Sequence, residues 1–125
     1  MNVPNEKFDE WVGEAFDALP DDVTVHLHNV AILTEDYPTK EQLGKTKKEK
    51  NVTLLGLFEG YGQSKKINYG VVLPDRITLF RRPIMQLCST EEEIKDQIMR
   101  TLRHEIAHHF GSDEKGATSA SKIRK

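Results

Sequence analysis

His104-Glu105-Ile106-Ala107-His108-His109-Phe110-Gly111 reads H-E-x-x-H-x-x-G, and each fixed letter has a chemical job. At about 3.6 residues per turn, His104 and His108 stand one turn apart on a helix, so two imidazoles can grip one cation from the same face. Glu105 then projects beside them but turned away, where a carboxylate can take a proton from an activated water without becoming a ligand. Gly111 is expected to let the chain leave the helix through a left-handed turn and swing back toward the metal.

The residues upstream supply the helix. Ser89 or Thr90 is an N-cap candidate, and Glu91-Glu92-Glu93 put negative charge in the first turn, where the helix dipole favours it. Ile94, Ile98, Leu102 and Ile106, with Met99 and Phe110, fall within one arc, while Asp96, Arg100 and Arg103 lie opposite. At ~100° per residue, His104 and His108 border that arc, with Gln97 and Thr101 on the same edge. The pattern predicts a helix over 91–109 that buries one face and presents the two histidines at its rim. His109 points about a quarter-turn away and is expected to be a packed, hydrogen-bonded histidine rather than a ligand.

At 125 residues the chain is read as one domain, residues 1–125, with room for a single modest core. Hydrophobic content of 37% against 30% charged residues argues for a soluble globular protein and against global disorder. Its single cysteine, Cys88, excludes an internal disulfide and cannot supply a cysteine-rich zinc site, so the chain fits a reducing compartment. No basic, then apolar leader opens the chain and no window approaches a membrane span, from which a cytoplasmic address and no membrane partner are expected. Lysines crowd positions 45–50, and the tail from 115 carries Lys115, Lys122, Arg124 and Lys125 without an acid. No aromatic is interleaved with them and the net charge is −2, which argues against nucleic acid. The tail, 115–125, is read as basic, frayed and flexible.

Residues 5–19 form an amphipathic pattern: Phe8, Trp11, Val12, Ala15, Phe16 and Leu19 recur at spacings of three and four, with Asn5 as N-cap and Pro20 as stop. That helix is packing, not chemistry. Residues 23–33 alternate as a half-buried strand does, which puts His26 and His28 on one face, read as a solvated face unless the fold brings it near His104. A polar loop follows over 37–51, with room for a short helical turn. Residues 52–62 read as a central strand running into glycines, whose G-x-x-x-G-x-G spacing is a weak phosphate signal. In 71–84, two short apolar runs are split by Pro74-Asp75; Ile77 to Phe80 should be a strand, with Pro83 at or beyond its end. Helix, small sheet and long C-terminal helix make an α+β architecture.

A catalytic zinc takes three protein ligands and a water. Only 17 residues follow His108, and Glu114 is the sole glutamate among them. Gapless counting in the short H-E-x-x-H-x-x-G-x-x-ligand layout places Glu114 at the last position, and Asp113 could replace it by a small shift in the turn. A carboxylate in the third place still suits zinc and admits iron or manganese more readily than histidine would.

Three blocks occur in order: Leu54-Leu55-Gly56-Leu57-Phe58-Glu59-Gly60, then Pro74-Asp75-Arg76-Ile77-Thr78-Leu79-Phe80-Arg81-Arg82-Pro83-Ile84, then His104 to Gly111. Together they resemble the minimal zincin-like metallopeptidase family of small bacterial proteins over roughly residues 52–114. The resemblance implies a compact α+β zincin with a small mixed sheet and a C-terminal active-site helix. It also implies one zinc per chain and hydrolysis of a peptide or protein substrate, with His104 and His108 as ligands, Glu105 as the base and Glu114 as the acidic third ligand. One departure from the larger H-E-x-x-H-x-x-G-x-x-H peptidases is plain: they carry a methionine turn after the third ligand, whereas Met1, Met85 and Met99 all precede it here. Two other readings stay open, a metal-holding or partner-binding module without turnover, and a metal-free protein with two rim histidines.

Overall fold

The computed structural model describes residues 1–44, 52–60, 74–112 and 118–124, with backbone only for 52, 111, 112 and 118–124. Helix α1 (Asn5–Asp17) buries Phe8, Trp11, Val12 and Ala15, the stripe its periodicity predicts. Its N-cap is Pro4, not Asn5: Pro4 is held at φ −60° with extended ψ, and its carbonyl accepts from Lys7 and Phe8 N–H at 3.1 Å each. Pro20 both stops α1 and starts α2 (Asp21–Thr24), where Asp21 and Asp22 occupy the first turn. Val23 and Thr24 are therefore helical rather than strand, and β1 (Val30–Glu35) begins seven residues later than the alternation suggested. A proline with preset φ followed by two acids favours a helical turn locally, and that preference outweighs a short alternating pattern.

Within the expected 37–51 loop, α3 (Lys40–Gly44) forms the short helical turn. Thr39 and Gln42 cap it reciprocally, each backbone N–H donating to the other's side-chain oxygen at 2.8 and 3.1 Å. The sheet continues with β2 (Val52–Glu59) and β3 (Asp75–Phe80), and ends with β4 (Thr118–Arg124), in the order β1-β3-β2-β4. It is mixed: β1 runs parallel to β3, while β2 is antiparallel to both β3 and β4. The frayed, flexible tail expected for 115–125 is thus corrected over 118–124, which pairs along β2 from Val52↔Arg124 to Glu59↔Thr118. The physical reason lies in β2, whose outer N–H and C=O groups need a partner; a basic composition does not prevent backbone pairing.

A short helix unforeseen from the sequence, α4 (Arg81–Leu87), follows β3 directly. Pro83 is its third residue, where a missing N–H costs nothing because the first-turn donors lack intrahelical partners. Arg81 at its start is a hub: it donates to both carboxylate oxygens of Asp9 at 2.9 Å, to Asp36 at 3.0 Å and to the Thr34 hydroxyl at 2.7 Å, tying α1, β1 and α4 together. The long helix α5 (Glu91–Ser112) starts where Thr90 accepts from Glu93 N–H at 3.1 Å and Glu93 accepts from Ser89 N–H at 2.6 Å.

Helices α1 and α5 pack beside each other, and α5 lies over β2, β3 and β4. The main core joins Phe8, Trp11, Phe58, Ile77, Leu79, Ile94, Ile98 and Leu102, among others. A register shift between Leu54 and Gly56 resets the alternation of β2, so Leu54 and Leu57 meet Phe80 in a second, smaller cluster. Gly56 has a packing role: a Cβ there would lie 2.7 Å from Thr101 Cγ2, so the missing side chain lets α5 approach β2. Cys88 is buried, and burial pushes its thiol pKa up, in keeping with a packing residue.

Candidate metal centre

The site is built on the second half of α5. His104 and His108, one turn apart, turn their rings to each other at 72° with centroids 4.7 Å apart, and their Nε2 atoms are separated by 3.1 Å. Zinc–imidazole bonds are about 2.0–2.1 Å long, so a cation within reach of both nitrogens would see them about 98° apart, close to a tetrahedral corner. Chemistry and spacing both fit a divalent ion. His104 is exposed and His108 half-buried, so the pair faces solvent. Burial, then the neighbouring charge of His104, lowers the pKa of His108 below its ordinary value, which favours the neutral imidazole that ligates metal.

Glu105 is wholly buried, at 0% exposure. It follows Ile98 by seven residues and Leu102 by three, so it stands in the middle of the helix's inward arc and not beside the rim. The same arithmetic applies to Thr101, also fully buried, whose hydroxyl accepts from the Gln97 amide at 3.0 Å. The arc expected from Ile94, Ile98, Leu102 and Ile106 is present, but its centre lies toward Glu105 and His109. Phe110, expected inside, is 45% exposed.

His109 is the packed, hydrogen-bonded histidine that its position predicted, and the structure supplies the partner: its Nδ1–H donates to Asp75 Oδ2 at 2.8 Å. A carboxylate oxygen accepts, so Nδ1 is the nitrogen carrying the proton. The ring also meets Phe58 edge-on, with centroids 5.8 Å apart. Asp75 is the residue that sequence reasoning missed; Pro74-Asp75 looked only like a turn. An acid opening a strand and a histidine 34 positions later carry no local signal that they meet.

His26 and His28 do not share a strand face. Both lie in the irregular connection before β1 and both are exposed; His26 contacts Phe110 edge-on, with centroids 6.1 Å apart. Helix α5 continues through Gly111 to Ser112, so Gly111 is inside the helix and not its exit. Helical hydrogen bonding carries the chain past a glycine at a modest propensity cost, about 1 kcal/mol. Asp113 and Glu114, the alternative third ligands, lie outside the described residues. Among the described residues, no group of three or more histidine, cysteine, aspartate or glutamate side chains could hold a metal ion.

An α+β chain with a mixed sheet and a long helix bearing H-E-x-x-H has the parts of a zincin. The model of the zincin-like metallopeptidase family matches residues 27–120, well over half of the chain, and the protein belongs to that family. A solved structure, a conserved hypothetical protein from Thermus thermophilus, aligns with a TM-score of 0.62 and 22% identity, covering 87% of this chain and 95% of its own. At that identity the likeness is one of fold. A search of curated proteins finds no match. Among the described residues no helix is long and apolar enough to cross a membrane.

Proposed function

We propose that this chain is a zinc-dependent metallopeptidase that hydrolyses peptide bonds, with Glu105 as general base. The observation that carries the reading is the 3.1 Å convergence of His104 and His108 Nε2 on an exposed flank of α5. His104 and His108 would hold the ion, with Glu114 or, by a small shift, Asp113 as third ligand. Bound there, zinc supplies Lewis acidity, polarising a carbonyl and acidifying a water. Glu105 receives the proton of the attacking water and returns it to the leaving amine. The substrate lies extended and pairs with a sheet edge. Of the two edge strands among the described residues, β4 is the one under α5, whereas β1 lies at the far side of β3, so β4 is the edge we assign.

The test is metal content by elemental mass spectrometry on untagged protein, wild type and His104→Ala, followed by a peptide-library screen with Glu105→Gln. About one zinc per chain, lost in His104→Ala, is expected. Glu105→Gln should retain the zinc and lose activity by about 10²–10⁴-fold. No metal in either protein after zinc is added back would end the enzyme reading. A second reading, a metal-holding module without turnover, draws on the complete burial of Glu105, which suits a structural carboxylate. It predicts zinc in the wild type and no hydrolysis by either form.

A further inference from the structure

The last stretch of α5 has little apolar purchase on the sheet. After Ile106, at 4% exposure, no described hydrophobic side chain of the helix is buried: Ala107 and Phe110 are both exposed. His109 is the one buried side chain described beyond Ile106, and it is buried against an acid. That acid is itself fixed. Asp75 is buried, opens β3 opposite Val30 of β1, and its backbone N–H donates to the Asn29 carbonyl at 3.1 Å.

From this placement we infer that Asp75 is a positioning residue for the metal centre: by holding His109 on β3 it sets the rotation of α5's last turns, and with it the direction of His108. Successive helical residues diverge by ~100°, so an imidazole anchored inward at 109 turns that of 108 toward the rim where His104 waits. Glu105, four residues before His109, lies directly above it on the same face, so the same anchor sets the base. Without the bond, the turn carrying His108 would keep Ile106 in the core and the edge-on contact of the His109 ring with Phe58, neither of which fixes a direction as a hydrogen bond does. The inference rests on the proposed metal site and adds to it a residue from a different strand.

Zinc affinity, the visible spectrum of the cobalt-substituted protein and the melting point of the zinc-free protein test it in four full-length proteins. These are wild type, Asp75→Ala, Asp75→Asn and His109→Phe. Asp75→Asn keeps an acceptor for Nδ1–H, and His109→Phe keeps a ring against Phe58 while removing the bond. Asp75→Ala and His109→Phe should bind zinc about tenfold more weakly and show an altered cobalt spectrum, and Asp75→Asn should restore most of both. Should Asp75→Ala fail to fold, His109→Phe and Asp75→Asn decide the matter between them. Folded His109→Phe with wild-type affinity and spectrum would overturn the inference while leaving the metal site standing. A wild type that binds neither metal would instead sink the metal site itself.

Discussion

The two halves of α5 are built on opposite terms. From Glu91 to Leu102 the helix is capped by Thr90 and Glu93 and inserts Ile94, Ile98 and Leu102, each at 0% exposure, into the main core. From Arg103 onward it buries Glu105 and His109, keeps Ile106 as its one described buried hydrophobe, and leaves Phe110 outside. The first half exchanges apolar surface for stability and asks only that the shapes fit. The second half gives interior positions to groups that are costly to bury unless hydrogen-bonded. A carboxylate in the middle of a packed arc is a poor choice for stability alone, which is why the chemistry is to be sought there.

Substitutions in the first half should cost stability and spare the site. Ile98→Ala leaves a cavity under the middle of α5 and should destabilise by about 2–5 kcal/mol in chemical denaturation, with the folded fraction binding zinc as wild type does. Gly56→Ala presses a methyl against Thr101 at the junction of the halves. A loss of about 1–3 kcal/mol is expected, and because α5 must lift, zinc affinity should weaken as well. Unaltered affinity with lowered stability would mean that the strand yields instead of the helix. Thr90→Ala removes the acceptor for Glu93 N–H and should cost about 1 kcal/mol, with no change at the metal site.

The smallest effects are in pH. His108 is held below its ordinary 6.5 by burial and then by the charge of His104. In the zinc-free protein the unfolded chain therefore takes the proton first. This contribution to stability is complete above pH 6.5 and declines as pH falls from 6.5 to the folded value. Hydrogen bonding to Arg81 lowers Asp9 from its ordinary 3.8, so its contribution is present above that value and is lost as pH falls through the folded pKa. Melting curves of wild type, His108→Ala and Asp9→Asn should separate the two windows: the first variant flattens the slope near about pH 6, the second that below about pH 4.

Much of the framework was legible because its causes are local. The stripe of Phe8, Trp11, Val12 and Ala15, the acidic start of α5 and the apolar run of β2 each follow from residues within one or two turns. The failures were local preferences in competition: Pro20-Asp21-Asp22 took Val23 and Thr24 into a helix, and Phe110 satisfied the helical period but lies at the edge of the arc, where it meets His26 and stays 45% exposed. Counting around the helix from Ile98 and Leu102 would have put Glu105 inside; the histidine spacing drew attention to the rim instead.

The sequence by itself determined that His104 and His108 share a face, that Glu105 lies between them in the chain, and that a long capped helix carries all three. These follow from the helical period, a property of consecutive residues. Only the tertiary structure decided that Asp75 meets His109 and that 118–124 closes the sheet beside β2. Each of these depends on how α5 is rotated against the sheet and on which strands become neighbours, and that choice is made by packing between segments far apart in the chain.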